Sequence, residues 1–82
     1  MSRLQEKKQI LEKANYKYNF NRDIYYNKSH KKAFSLEAIE DNEPEWLSGN
    51  INAEQDHDDW EFYFNTDPSD RIKKEIIKEL ER

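Results

Sequence analysis

No run of apolar residues in this chain is longer than three, and that limit shapes what it can fold into. A membrane-spanning helix needs about 20 consecutive apolar residues and the apolar part of a secretory leader about 7–15, so neither is expected. A core must instead come from apolar side chains spaced along amphipathic elements, at every second residue in a strand or every third and fourth in a helix. Eighty-two residues suit one such core, and a single domain over residues 1–82 is expected. Charged residues (39%) outnumber apolar ones (34%), a balance that by itself favours an unfolded chain. Aromatic residues pull the other way: they make up 13% of the chain and cluster at alternating positions. One glycine and two prolines leave room for regular elements.

Helical spacing appears first. Leu4, Leu11 and Ala14, with Ile10 beside them, predict a helix over residues 2–14. Ser2 and Gln5 have the spacing of a capping box, and Asn15 suits a helix stop. Tyr16, Tyr18 and Phe20 alternate with polar residues and read as an extended approach to a strand over residues 22–27. In that strand Ile24 and Tyr26 face one side and Tyr25 the other. The polar stretch 27–30 reads as a turn, and a second strand over residues 31–35, with Phe34 inward, completes an antiparallel hairpin.

Residues 34–40 satisfy both periods. The preferred reading ends the strand at Ser35 and starts a short helix over residues 36–40, with Ser35 as its cap. Pro44 suits the first turn of another short helix carrying Trp46, Leu47 and Ile51. Residues 54–59 read as a polar loop. The clearest strand is 60–65, where Trp60, Phe62 and Phe64 point one way and Glu61, Tyr63 and Asn65 the other. Asp67 and Pro68 then open a final helix with Ile72, Ile76 or Ile77, and Leu80 on its buried stripe.

The expected fold is α+β: a small three-stranded antiparallel sheet packed on N- and C-terminal helices that cover one face, with a short helical segment between strands 2 and 3. The main core is expected to join Trp60, Phe62 and Phe64 to Ile24, Phe34, Ile72, Ile76 and Leu80.

Chemistry is sparse. Without cysteine there is no disulfide, thiolate metal site or thiol nucleophile. One glycine cannot make a glycine-rich phosphate cradle. The run Asp56-His57-Asp58-Asp59 has the residue types of a metal site, but neighbouring side chains in an extended loop point in alternating directions. His30 and His57 both fall in expected loops, and the serines are explained as caps and turn residues. The chain is therefore not expected to be an enzyme, to hold a metal or to use a cofactor.

Charge is the more informative signal. Residues 1–33 hold nine Lys and Arg against three acids, residues 34–67 hold eleven acids and no Lys or Arg, and residues 68–82 are nearly balanced. The blocks either face and neutralise one another or leave a polarised surface that steers a charged partner. Density favours the acidic segment as a partner-binding site, with Glu40, Asp41, Glu43 and Glu45 at its centre and Trp46 as the aromatic anchor. The expected role is a small cytoplasmic protein-interaction module, inhibitor- or adaptor-like, engaging a basic surface on another protein. The alternative is a nucleic-acid-binding accessory domain that uses Lys28, His30, Lys31 and Lys32 on the hairpin, interleaved with tyrosines for stacking. The acidic pI, near 5.2, argues against that alternative. Self-association by pairing of the two charge blocks is a further expectation.

Overall fold

The computed structural model describes residues 3–53 and 59–81. Helix α1 (Arg3–Lys13) forms on the stripe read from the sequence, with Leu4, Ile10 and Leu11 turned to the core. Asn15 ends it in the left-handed conformation, φ 66°. Its amide donates to Glu12 O at 3.1 Å and the Tyr16 amide donates to Leu11 O at 2.9 Å, a Schellman closure. Tyr16 and Leu11 then share one core cluster, the apolar contact that accompanies this motif. The expected N-cap, Ser2, lies outside the described residues.

Residues 16–20 are more than an approach. They supply β1 (Lys17–Asn19), which pairs antiparallel with β2 (Ile24–Asn27). The intervening turn is fixed by the Asn19 carboxamide oxygen, which accepts from the amides of Asn21 (3.0 Å) and Arg22 (3.2 Å). The strand expected from residue 22 therefore begins at Ile24. β3 (Lys32–Ser35) returns antiparallel to β2, across a turn in which Lys31 takes φ 51°.

Ser35 settles the ambiguous stretch as preferred from sequence. Its hydroxyl accepts from the Ala38 amide at 3.1 Å and starts α2 (Leu36–Asp41). α3 (Pro44–Asn52) follows with proline in its first turn. These two helices form a crossover that delivers β4 (Glu61–Tyr63) parallel to β3. The sheet is therefore four-stranded and mixed, in the order β1-β2-β3-β4, rather than three-stranded and antiparallel. The last helix, α4 (Asp70–Leu80), is capped by the Ser69 hydroxyl, which accepts from the Ile72 amide; Asp67 and Pro68 precede it.

Register divides the core. Tyr18, Tyr25, Phe34 and Tyr63 lie in one row across the strands. On that face Tyr25 and Phe34 pack with Leu11, Tyr16, Ile39 and Leu47 beneath α1, α2 and α3, with Tyr63 and Trp46 at the margin. Lys17, Tyr26, Ala33 and Phe62 form the neighbouring row on the opposite face. There Ile24 and Ala33 meet Ile76 and Leu80 of α4. The single core expected from sequence is thus two cores. Phe34 and Ile24 fall on opposite faces because they sit on residues of opposite parity in the ladder. Trp60, Phe62 and Phe64 are half-buried on the α4 face, and Ile72 remains 41% exposed. Tyr63, expected to point away from the main core, stacks on Phe34 with ring centroids 4.6 Å apart.

Two lysines hold the crossover. Neither α2 nor α3 has a basic residue in its own last turn. Lys7, 4% exposed, reaches from α1 to donate to Ile39 O at 2.7 Å and Glu40 O at 3.1 Å. Lys32, 3% exposed, reaches from β3 to donate to Asn50 O at 2.6 Å and Ala53 O at 3.0 Å. Each ammonium satisfies carbonyls that a helix end leaves unpaired and lies at the negative pole of the helix dipole.

Candidate functional site

The acidic segment emerges as one exposed corner. Glu37, Glu40 and Asp41 on α2, Glu43 before α3 and Glu45 in its first turn are all exposed. Two of them have polar partners: Arg3 pairs with Glu43, and the Asn65 carboxamide donates to Asp41 Oδ2 at 2.6 Å. Arg3–Glu43 joins the basic and acidic blocks at a solvated position, where an ion pair contributes about 0–1 kcal/mol. Lys7 and Lys32 approach this part of the fold but donate to backbone carbonyls. The carboxylates of the corner thus remain on the outside.

Trp46, expected as the aromatic anchor of this corner because α3 lacks room to bury it, is less exposed than that expectation requires. It is half-buried and meets the rings of Phe34 and Tyr63 edge-on, with centroids 6.0 Å away in each case. The short α3 buries Leu47 and also turns Trp46 inward, because the Phe34–Tyr63 stack provides an aromatic wall for it.

The most exposed aromatic among the described residues is Phe20, at 75%, in the β1–β2 turn. Tyr18 beside it is also exposed. The Tyr18 hydroxyl donates to Asp23 Oδ1, and this bond raises the phenol's pKa above its ordinary value. The Leu36 amide donates to Asp23 O at 2.8 Å, which ties the turn to the start of α2. Between them lies a cavity of about 300 Å³ lined by Arg22, Asp23, Ser35, Leu36, Glu37 and Glu40. Its one cation, Arg22, is engaged by Glu75 (3.5 Å) and Glu79 (2.9 Å) of α4. The cleft is therefore acidic, with Arg22 and Asp23 of the β1–β2 turn on one side and Glu37 and Glu40 of α2 on the other. Sequence reasoning missed Phe20 because its alternation with Tyr18 reads as a strand position, whereas the Asn19 turn ends the strand one residue earlier.

The basic hairpin does not form a continuous patch. Lys28 and His30 are exposed in the turn, Lys31 is partly buried, and Lys32 is enclosed with its ammonium committed to α3. Lys28 and His30 instead border a cavity of about 370 Å³ with Asn15, Lys17, Tyr26, Asn27 and Ser29. His57 and most of the Asp56–Asp59 run lie outside the described residues. Among the described residues, no group of three or more His, Cys, Asp or Glu is placed to hold a metal ion. No described helix is long and apolar enough to cross a membrane.

No family model, curated protein or solved structure matches the chain.

Proposed function

We propose that this protein is a small binding module rather than an enzyme, and that its acidic α2–α3 corner docks on a basic surface of another protein as an inhibitor or adaptor would. The observation that carries this reading is the exposure of Glu37, Glu40, Asp41, Glu43 and Glu45 on one corner of the fold. The acidic cleft lined by Asp23, Glu37 and Glu40 supports it, and Phe20, exposed in the β1–β2 turn, is the aromatic proposed to supply the apolar contact that carboxylates lack. Carboxylates at such a surface act mainly on encounter rate and partner choice. The proposed site of action is the cytoplasm.

The test compares two variants on a partner captured from the source cell after nuclease treatment. One carries Glu40→Gln, Asp41→Asn, Glu43→Gln and Glu45→Gln; the other carries Lys28→Ala and Lys31→Ala in the β2–β3 turn, leaving the buried Lys32 in place. The acidic-corner variant should slow association about tenfold or more at low salt, with the difference shrinking as salt is added. Loss of binding in the lysine variant alone, together with salt-sensitive binding of the parent to bare oligonucleotide, would transfer the role to the hairpin and favour the nucleic-acid alternative. Paired charge blocks in a second copy would appear as a concentration-dependent dimer that either variant weakens.

A further inference from the structure

We infer that the hollow between the end of α1 and the β2–β3 turn binds a phosphate monoester carried on a flat ring, the chemistry of a nucleoside monophosphate. This site is independent of the acidic corner, because the hollow lies at the opposite end of β2 from Asp23 and α2.

Three observations carry it. The first is charge. The chain has 18 acidic against 14 basic residues, yet the lining of this cavity contains Lys17, Lys28 and His30 and no carboxylate. Asn15 and Ser29 add amide and hydroxyl donors to the lining. Two lysines and further donors on one lining suit a dianionic phosphate, with its three terminal oxygens, better than a monovalent carboxylate.

The second observation is order. Asn27 is only 7% exposed, and both ends of its side chain are used. Its Nδ2 donates to Ala14 O at 3.1 Å and its Oδ1 accepts from the His30 amide at 3.2 Å. One side chain therefore clamps the end of α1 to the hairpin turn and sets the separation of the two walls. Asn15 and Lys31, on either side, hold left-handed backbone conformations that fix the path of the chain there.

The third is the ring. Tyr26 and Lys17 are cross-strand partners, so the Tyr26 ring and the Lys17 ammonium leave the sheet on the same face. Tyr26 is half-buried against the α4 core and presents its remaining surface to the hollow. A ligand whose phosphate meets the lysines can lay a planar base along this ring, and base–aromatic stacking is a sequence-tolerant source of affinity. The volume, about 370 Å³, is at the small end of the range for small-molecule sites and suits one nucleotide rather than several.

The test is an amide-shift titration of the full chain at low salt with adenosine monophosphate, adenosine and inorganic phosphate. A short 5′-phosphorylated oligonucleotide and its unphosphorylated form are run beside them. Adenosine monophosphate should give saturable shifts at residues 15–17 and 26–30. Lys17→Ala with Lys28→Ala, both at exposed positions, should weaken it about tenfold. Tyr26→Leu should bring its affinity down to that of inorganic phosphate. The phosphorylated oligonucleotide separates two sources of the same group: tighter binding than the mononucleotide assigns the phosphate to a strand end, weaker binding to a free nucleotide. Equal binding of adenosine, or of the unphosphorylated oligonucleotide, would overturn the inference. So would the absence of saturable shifts, or shifts that persist unchanged in the double lysine variant.

Discussion

The two faces of the sheet are built from the same strands but closed to different degrees. Beneath α1, α2 and α3, the row Tyr25, Phe34 and Tyr63 is roofed by Leu11, Ile39, Leu47 and Trp46, and Phe34 is fully enclosed. Beneath α4, the sheet offers Ile24 and the small Ala33, and the helix answers with Ile76 and Leu80 alone as buried residues. Trp60, Phe62 and Phe64 stand half-exposed around that contact, Ile72 stays exposed, and Arg22 bridges to Glu75 and Glu79. Burial energy scales with apolar area removed from water. The first face therefore carries most of the stability. It also carries the acidic corner, on helices whose ends are held by buried ammonium groups, so those carboxylates sit on the rigid part of the molecule. The hollow at Lys17 and Tyr26 borders the more open face.

The largest difference should appear between two phenylalanines. Phe34→Ala should cost about 3–5 kcal/mol, the range for a large aromatic deleted from a closed core. Phe62→Ala, at a half-buried position on the α4 face, should cost about half as much. Urea unfolding of both variants measures this directly. Equal losses would mean that the α4 face is as tightly closed as the other.

Next is the imported cap. Lys32→Met keeps most of the buried stem but leaves Asn50 O and Ala53 O without their ammonium. A loss of about 2–3 kcal/mol is expected, the range for hydrogen bonds to a charged group, and thermal or urea unfolding reads it. If Lys32 were an ordinary surface lysine of the hairpin, the change would fall within about 0.5 kcal/mol.

The smallest effect concerns the tyrosines of the first face. Burial raises the pKa of Tyr16 to about 12, and raises those of Tyr25 and Tyr63 as well. A phenol whose folded pKa lies above its unfolded value near 10 binds its proton more tightly in the folded state. Its contribution to stability is therefore complete below pH 10 and is lost as pH rises towards 12. The Tyr16 hydroxyl is buried without a hydrogen-bond partner among the described residues. Tyr16→Phe should accordingly leave stability at pH 7 unchanged or improve it by up to about 1 kcal/mol, and should flatten part of the alkaline decline. A loss of more than that at pH 7 would show that the hydroxyl has a partner after all.

Local chemistry was readable in the sequence, and long-range geometry was not. Asn15 as a helix stop, Ser35 as a cap, Pro44 in a first turn and the Tyr25 alternation depend only on neighbours a few residues away. The direction of β4 does not, since a period of two is the same in parallel and antiparallel strands. Nor does periodicity say which side of the run from Trp60 to Phe64 meets the larger core, because both sides carry aromatic residues. Asp67 and Ser69 stand two residues apart and both have capping chemistry, so the start of α4 depended on packing. Lys32 sits in an apparently solvated basic run, and only the position of α3, far along the chain, makes it a buried cap. The acidic corner was legible because the exposure of a dense carboxylate run follows from the cost of burying it. The exposure of the aromatics was not, since only tertiary contacts leave Phe20 in solvent and turn Trp46 partly inward.

Native-state hydrogen exchange tests the inequality of the two faces most directly. Hydrogen-bonded amides of α4 around Ile76 and Leu80 should exchange through an opening of lower free energy than the amides of Tyr25 and Phe34, which should require global unfolding. If α4 shares the opening free energy and denaturant dependence of β2 and β3, the two faces form a single cooperative core and their inequality is refuted.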